Sequence, residues 1–248
     1  HPRTLELTTY AEVVLAPDAS DLAHPAFSNL FIQTELEPER DTILCHRRPR
    51  SPDEPIPCLF HMMVLRGDNR KSVSFETDRA KFLGRGRTPA DALAIEEGGE
   101  LSNTSGSVLD PVLAIRHAII LLPGQPVTID IIYGISESRQ KSLALLEKYR
   151  DYHIADRIFE LAWSHSLAVL RQMNASEDDA TLFNRLASAV LYPSPELRAE
   201  SKVISRNRRG QSGLWGWGIS GDLPVVLLRI TSEAGITSVT TLIQAHRY

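Results

Sequence analysis

Apolar and polar residues alternate along the first half of the chain, which is the period of β-strands. Over residues 4–15, one face would carry Leu5, Leu7, Thr9, Ala11, Val13 and Leu15. This alternation predicts a half-buried strand of an antiparallel sheet. Turn residues, including Gly67-Asp-Asn69, separate further predicted strands at residues 29–35, 41–47, 58–66, 73–77, 108–122 and 127–133. Many short strands with turn signals between them indicate a β-sandwich.

The hydrophobic period changes from two to 3.6 near Ser136, and the pattern then predicts helices. We expect them at residues 137–149, 151–173, 178–192, 223–230 and 231–248. Pro193 should end the third, and Pro224 fits the first turn of the fourth. Trp163 and its neighbouring leucines are expected in the core. The predicted fold class is α+β, with an antiparallel β-sandwich over residues 1–135 and helices over 136–248.

The composition argues against two classes of protein, nucleic-acid binders and membrane-spanning proteins. The chain has 248 residues and a formal net charge of −4, which argues against a general nucleic-acid binder because phosphate binding needs excess Lys and Arg. No apolar run approaches the roughly 20 residues that span a bilayer, and we predict no direct membrane insertion. No secretory signal pattern is visible. The chain opens and closes abruptly, which is typical of a fragment of something longer.

The cysteines and histidines do not form a recognisable metal site. Cys45 and Cys58 are too few for a disulfide framework, so we expect free thiols in a reducing compartment. The histidines lack metal-ligand spacing, and each is expected to be at the surface or partly buried: His24, His46, His61 and His117. The sequence thus predicts no metal and a cytoplasmic location, either alone or as a soluble part of an inner-membrane protein.

Residues 208–224, here called the tryptophan loop, are the main candidate for binding chemistry. They contain five glycines and two of the three tryptophans of the chain. Clustered glycines mark a backbone path that other residues follow poorly, often near a ligand. Flat aromatic rings beside polar side chains suit a sugar, so the candidate substrate-binding residues are Gln211, Trp215, Trp217 and Asp222. The alternative is a structural loop whose tryptophans fill a domain interface.

A second segment, residues 75–87, carries four cations and two acids around glycines. Arg79, Arg85 and Arg87 could contact an anion or a sugar. The preferred interpretation is an ion-paired loop that fixes the edge of the sandwich.

Several segments of this sequence resemble those of a known family. They are residues 3–17 and 23–29, followed by Glu76-Thr-Asp-Arg79, Phe82-Leu-Gly-Arg-Gly-Arg87, Leu109-Asp-Pro111, Gly210-Gln-Ser-Gly-Leu-Trp215 and Gly218-Ile-Ser-Gly-Asp-Leu-Pro224. In this order they resemble the cyclic β-1,2-glucan synthases, in the region related to inverting phosphorylases of the cellobiose phosphorylase type. The resemblance covers nearly the whole chain.

The resemblance implies a β-sandwich joined by linker helices to the start of an α/α toroid, in the first of two such copies. The family's catalytic acid lies in a Gly-Asp-Trp-Asn-Asp-Gly-like segment, which is absent here. The Gly-Phe-Arg-Asp substrate motif is also absent, and Gly218-Ile-Ser-Gly-Asp222 occupies a comparable place. No catalytic residue and no cofactor are therefore predicted, apart from inorganic phosphate if the parent module is a phosphorylase.

Three functions remain open. The leading hypothesis is a non-catalytic part of a glucan-processing enzyme, with β-1,2-glucan and the remainder of the parent polypeptide as partners. The second is a free-standing carbohydrate-binding module. The third is an active inverting β-glucoside phosphorylase, with Asp222 beside Arg208 and Arg209 as its single general acid. However, Asp222 precedes Leu223-Pro224, and an Asp at such a position is more often a turn residue or a helix cap.

Overall fold

The fold was analysed in a computed structural model, which describes all residues except 50, 52, 53, 55, 68, 69, 193 and the side chain of Ala234. Asp68 and Asn69 of the predicted turn, and the predicted helix stop Pro193, lie outside the described residues. The described chain divides into two compact units, His1–Arg157 and Ile158–Tyr248.

The first unit contains the strands β1 Arg3–Thr8, β2 Ala11–Glu12, β3 Ile32–Glu37, β4 Thr42–Arg47, β5 Cys58–Arg66, β6 Arg70–Asp78, β7 Pro111–Leu121 and β8 Thr128–Ser136. Its helices are α1 Asp18–Ala23, α2 Pro25–Asn29, α3 Arg79–Leu83, α4 Leu93–Glu97 and α5 Arg139–Arg150. The boundary between the units falls within α6 Tyr152–Gln172, and α7 Glu177–Leu191, α8 Ser201–Arg206 and α9 Ile236–Arg247 follow.

The strands form two antiparallel sheets of four. In the first sheet, β7 pairs with β1 and β2 on one side and with β6 on the other, and in the second the order is β3-β4-β5-β8. The sandwich and the helices that follow it are therefore as the sequence predicts. The predicted strand over residues 4–15 is divided into β1 and β2. Between them, the N–H of Thr9 donates to Ile115 O at 2.9 Å.

Three apolar layers hold the first unit together. The layer between the sheets includes Ile32, Ile43, Met63, Leu113 and Ile115. On the outer face of the first sheet, α3 and α4 cover Val112 and Ala114, while on the outer face of the second sheet Leu146 of α5 packs on Phe60 and Met62. Each sheet is thus covered on both faces, so its central strands are apolar on both faces as well.

One glycine is required by close packing. An added Cβ at Gly134 of β8 would lie 2.2 Å from Cζ of Phe60, so only glycine leaves room for that ring.

The second unit buries little apolar surface. Among its described residues, the buried apolar side chains are Leu170 of α6 and Phe183 of α7. The rings of Phe183 and Tyr248 lie 5.5 Å apart, and Gln244 of α9 donates to Met173 O at 3.0 Å. The α7 helix begins with a capping box between Ser176 and Asp179, which satisfies two otherwise unpaired N–H groups.

Two expectations for the helical part are wrong. Trp163 was expected in the core but is 65% exposed, because a helix buries only the stripe that its neighbours cover and Leu170 lies on that stripe. Residues 223–230 were expected to be helical but are irregular. This run is short and apolar without a polar face, and a helix of that length is marginal without packing.

The expectation for the histidines is wrong at two positions. His61 and His117 are fully buried, because they occupy positions of β5 and β7 that point between the sheets. His61 Nε2 is 2.7 Å from Thr9 Oγ1, and its ring stacks on Tyr133 with centroids 4.1 Å apart. Burial lowers the pKa of His61 to about 4. Burial also lowers the pKa of His117, although the Asp41 carboxylate 3.9 Å away acts in the opposite direction.

We expect these histidines to weaken the first unit in acid. Unfolded histidine binds a proton below about pH 6.5, whereas His61 in the fold binds one only near pH 4. The unfolded state therefore gains protons first as pH falls from about 6.5 to about 4, and the free energy of unfolding drops by roughly 3 kcal/mol from His61 alone. Urea unfolding at pH 7 and at pH 4.5 measures this loss.

The control for this pH effect is a pair of variants. His61→Gln keeps a polar partner for Thr9 without titrating, so its stability should fall less between the two pH values than that of the wild type. His24→Gln changes an exposed histidine and should follow the wild type. An unchanged acid loss in His61→Gln would contradict the assignment.

Candidate functional site

The tryptophan loop contains a 3₁₀ helix, Gln211–Trp217, that is ended by Gly218 in the left-handed region. The φ of Gly218 is +73°, and its N–H bonds to Trp215 O at 3.0 Å. Before the helix, Asn207 Oδ1 accepts from the N–H of Arg209 at 3.0 Å. These short-range bonds fix the backbone just before the 3₁₀ helix and at its end.

One backbone carbonyl links two of the four predicted binding residues, and a third is bonded to one of them. Gln211 Nε2 donates to Ser220 O at 2.9 Å, and Trp215 Nε1 donates to the same oxygen at 3.2 Å. Gln211 Nε2 also donates to Asp222 Oδ1 at 2.7 Å. The amide of Gln211 thus ties both ends of the loop together, while the Trp215 ring is fixed through its indole nitrogen.

Both tryptophans of the loop face solvent. Trp215 is 64% exposed and Trp217 is 78% exposed, and neither fills a core of the second unit. Asp222 is also exposed and accepts a bond from Gln211. This exposed position lacks the enclosed, apolar surroundings that are typical of a general acid, which weakens the hypothesis that Asp222 is a catalytic acid.

The second segment with candidate arginines is ion-paired. Arg79 Nε lies 3.1 Å from Glu12 Oε1 and its Nη1 lies 3.6 Å from Asp110 Oδ2, and Arg87 pairs with Glu96. Asp78 caps α3 by accepting from the N–H of Ala80 at 2.9 Å. These contacts hold β6, α3 and α4 at the edge of the first sheet, which agrees with the preferred interpretation from the sequence. Arg85 is exposed.

Glu76 in the same segment is a buried carboxylate with a structural role. Its Oε1 accepts from the N–H groups of Thr77 at 3.0 Å and Asp78 at 2.9 Å, and its Oε2 accepts from the Ser102 hydroxyl. Three donors account for its burial, since a buried charge needs hydrogen-bond partners.

Pattern reasoning missed a shallow, open groove along α7. It has a volume of about 600 Å³ and is lined by Thr181, Asn184, Arg185, Ser188, Ala189, Tyr192 and Ser194. The spacing of Thr181, Arg185, Ser188 and Tyr192 follows one helical face, and that spacing in the sequence could have identified the groove.

Neither a metal centre nor a membrane span is found within the described ranges. No group of three or more His, Cys, Asp or Glu side chains among those residues could hold a metal ion. No helix in the described part of the chain is long and apolar enough to cross a bilayer.

Family comparison matches the part of the chain that forms the two sheets and α5. The model of the family described as "Glycosyl hydrolase 94, supersandwich domain" matches residues 1–152. The chain belongs to this supersandwich family. The match ends close to the boundary of the first compact unit, so the supersandwich assignment covers His1–Arg157 almost entirely and leaves the tryptophan loop outside it.

The chain is also similar to a much longer protein. It is 32% identical over 246 residues to a cyclic beta-(1,2)-glucan synthase NdvB from Rhizobium meliloti (strain 1021). The alignment covers 99% of this chain but 9% of that relative. The similarity extends past the supersandwich match, so it includes the second unit and the tryptophan loop.

The geometry of the loop predicts that one glycine substitution disturbs the loop and that another leaves it unchanged. An added Cβ at Gly221 would lie 2.9 Å from Leu214 Cδ1 and 3.0 Å from Gln211 Cγ, at a φ of +74°. Gly221→Ala should therefore loosen the loop, at a cost of about 1 kcal/mol or more, and speed amide exchange over residues 210–222. Gly216→Ala is the matched control, because a Cβ there has no atom within 4 Å. Equal exchange in the two variants would contradict the geometry.

Proposed function

We propose that this chain is a non-catalytic part of a cyclic β-1,2-glucan synthase and that its tryptophan loop guides glucan chains. The observation that carries the proposal is the pair of exposed tryptophans in a loop closed by its own hydrogen bonds. The similarity of 99% of the chain to a glucan synthase supports the choice of ligand.

The chemistry of the loop fits a sugar better than a purely apolar ligand. An exposed indole can stack on the C–H face of a pyranose ring, and aromatic side chains that combine an apolar body with a polar group are common at binding surfaces. Gln211 shares the Ser220 carbonyl with Trp215, and Gln211 and Asp222 can exchange their mutual bond for bonds to hydroxyls. Each such net bond contributes about 0.5–1.5 kcal/mol, so affinity per sugar is low and rises with chain length.

The proposal names the remainder of the parent polypeptide as the second partner, because 9% of the relative corresponds to this chain. It places the protein in the cytoplasm, either alone or as a soluble part of an inner-membrane protein, and the two buried, free thiols support a reducing compartment. It assigns no cofactor to this chain and leaves inorganic phosphate to a phosphorylase module of the parent.

Experiments can distinguish two other functions from the proposed one. A free-standing carbohydrate-binding module would bind glucan equally well inside or outside the parent polypeptide. An active phosphorylase would need Asp222 to protonate the leaving oxygen, and its exposure and bond to Gln211 weigh against that role.

Trp217→Ala should weaken binding of β-1,2-gluco-oligosaccharides roughly fivefold, since an aromatic contact contributes about 1 kcal/mol. Titration calorimetry against oligosaccharides of increasing length measures the change, and a thermal melt of each variant should be nearly unchanged because the ring is 78% exposed. Trp163→Ala is the matched control, since that tryptophan is 65% exposed on α6. Wild-type protein that binds no glucan, or equal losses in both variants, would refute the proposal.

The chain should not release glucose 1-phosphate from β-1,2-glucan in the presence of phosphate. No segment like the family's catalytic one occurs in the sequence. A coupled assay for glucose 1-phosphate with the 248-residue chain tests this. Phosphate-dependent release that is lost in Asp222→Asn would establish the enzyme instead.

A further inference from the structure

A small cavity lies on the outer face of the first sheet, beside the part of that face that α3 and α4 cover. It has a volume of about 200 Å³ and is formed by β1, β6, β7 and the loop after α4, residues 98–100. Ala118 of β7 pairs with Glu6 of β1 on one side and with Ser72 of β6 on the other. Because ladder partners share a face of the sheet, the small side chain of Ala118 leaves the cavity open between its two neighbours.

Buried polar groups close one end of this cavity. The next outward-facing residue of β7 is Arg116, which is 3% exposed and pairs with the buried Ser74 of β6. The Arg116 guanidinium donates to Gly99 O and to Ala94 O, both at 2.6 Å. Gly99 in turn donates its N–H to Glu6 Oε1 at 3.1 Å. The loop after α4 is therefore fixed to both β7 and β1, and the cavity is formed before any ligand arrives.

Several polar side chains of the cavity are free to bind a ligand. Within the described part of the chain, four of them have no hydrogen-bond or ion-pair partner: Thr4, Lys71, Ser72 and Glu100. They supply two hydroxyl groups, which both donate and accept, together with an ammonium donor and a carboxylate acceptor. The cavity thus offers donors and acceptors to one ligand.

The charges of the cavity favour a neutral ligand. Its two cations are Lys71 and Arg116. Its two carboxylates are Glu6 and Glu100, and Glu6 Oε2 lies 3.6 Å from Arg116 Nη1. An anion such as phosphate would meet both carboxylates and be repelled by them. A ligand rich in hydroxyls suits this set, because each hydroxyl both donates and accepts. The chemistry is therefore that of a sugar site.

The volume of the cavity limits the ligand to one sugar ring. At the roughly 30 Å³ that a water molecule occupies in the liquid, about 200 Å³ corresponds to six or seven waters. Pockets for drug-sized ligands are larger, at about 300–1,000 Å³. A single pyranose ring is of the smaller size, whereas two linked rings exceed it.

The walls of the cavity select the end of a sugar chain. β1 and β6 bound it on two sides, and the loop after α4 bounds it on a third. An internal unit of a glucan carries two linkages and needs a groove that is open at both ends. A terminal unit carries one linkage and needs one opening, and a cyclic glucan has no terminal unit.

We propose that this cavity binds the terminal unit of a linear β-1,2-glucan and thereby distinguishes linear chains from cyclic ones. The choice of glucan rests on the proposed function, in which this chain is a non-catalytic part of a glucan synthase. The cavity belongs to the first compact unit and the tryptophan loop to the second, so the two sites can be measured separately.

Amide exchange of the 248-residue chain with and without sugar tests the proposal. A linear β-1,2-gluco-oligosaccharide at ten times its dissociation constant should slow exchange over residues 70–74 and 98–101 about tenfold, since the ligand must leave before the loop opens. A cyclic β-1,2-glucan at the same sugar concentration should leave these amides unchanged. No protection by the linear sugar, equal protection by both sugars, or protection by inorganic phosphate instead would overturn the proposal.

Two variants of the cavity provide the second arm of the experiment. Ala118→Leu fills the cavity without removing a polar group, so the sugar concentration for half of the protection should rise about tenfold or more. Glu100→Gln keeps the shape at an exposed position and should raise it about fivefold, because a hydrogen bond to a charged group is stronger than one to an amide. Thr128→Leu, at an exposed position of β8, is the matched control.

Unchanged protection in both cavity variants would count against the cavity. Protection over residues 210–222 reports the tryptophan loop instead. A sugar that protects these residues but not 98–101 would refute the cavity and leave the proposed function standing, and the reverse result would do the opposite.

Discussion

β7 is covered on both faces, and most of the first unit is arranged around that constraint. Leu113 and Ile115 point between the sheets, whereas Val112 and Ala114 point to α3 and α4. The neighbouring polar residues in the middle of β7, Arg116 and His117, must therefore be accommodated without water. Arg116 donates to one carbonyl of α4 and one of the loop after it, whereas both ring nitrogens of His117 have no hydrogen-bond partner among the described residues. A buried imidazole without partners is tolerated only as the neutral form.

The guanidinium of Arg116 ties one of the two short helices, α4, to the first sheet. Its Nη1 donates to Gly99 O and its Nη2 to Ala94 O, both at 2.6 Å, and its Nε donates to Thr8 Oγ1 at 2.8 Å. A buried cation needs such partners because desolvation is costly. The first turn of α4 and the loop after this helix are thereby tied to the sheet by polar as well as apolar contacts.

Sequence patterning predicted the strands well because turn residues and alternation give the same local answer. It failed where burial depends on distant parts of the chain. Leu5 and Val13 belong to the same alternating series, yet Val13 is buried and Leu5 is exposed, because only Val13 packs in the layer between the sheets. In the tryptophan loop, the glycines indicated an unusual backbone path. The bond between Gln211 and Asp222, eleven positions apart, depends on the turns at Gly218 and Gly221 and could not be derived from spacing.

Exposure alone does not distinguish the tryptophan loop from the rest of the second unit. Trp163 on α6 and Leu227 after the loop are also exposed, at 65% and 91%. The difference is preorganisation, because Gln211 and Trp215 both donate to Ser220 O and so hold the loop before any ligand arrives. A ligand that meets a fixed aromatic surface loses less binding free energy to ordering than one that must order a loose segment. The internal hydrogen bonds, rather than the number of exposed rings, are therefore the argument for a binding role here.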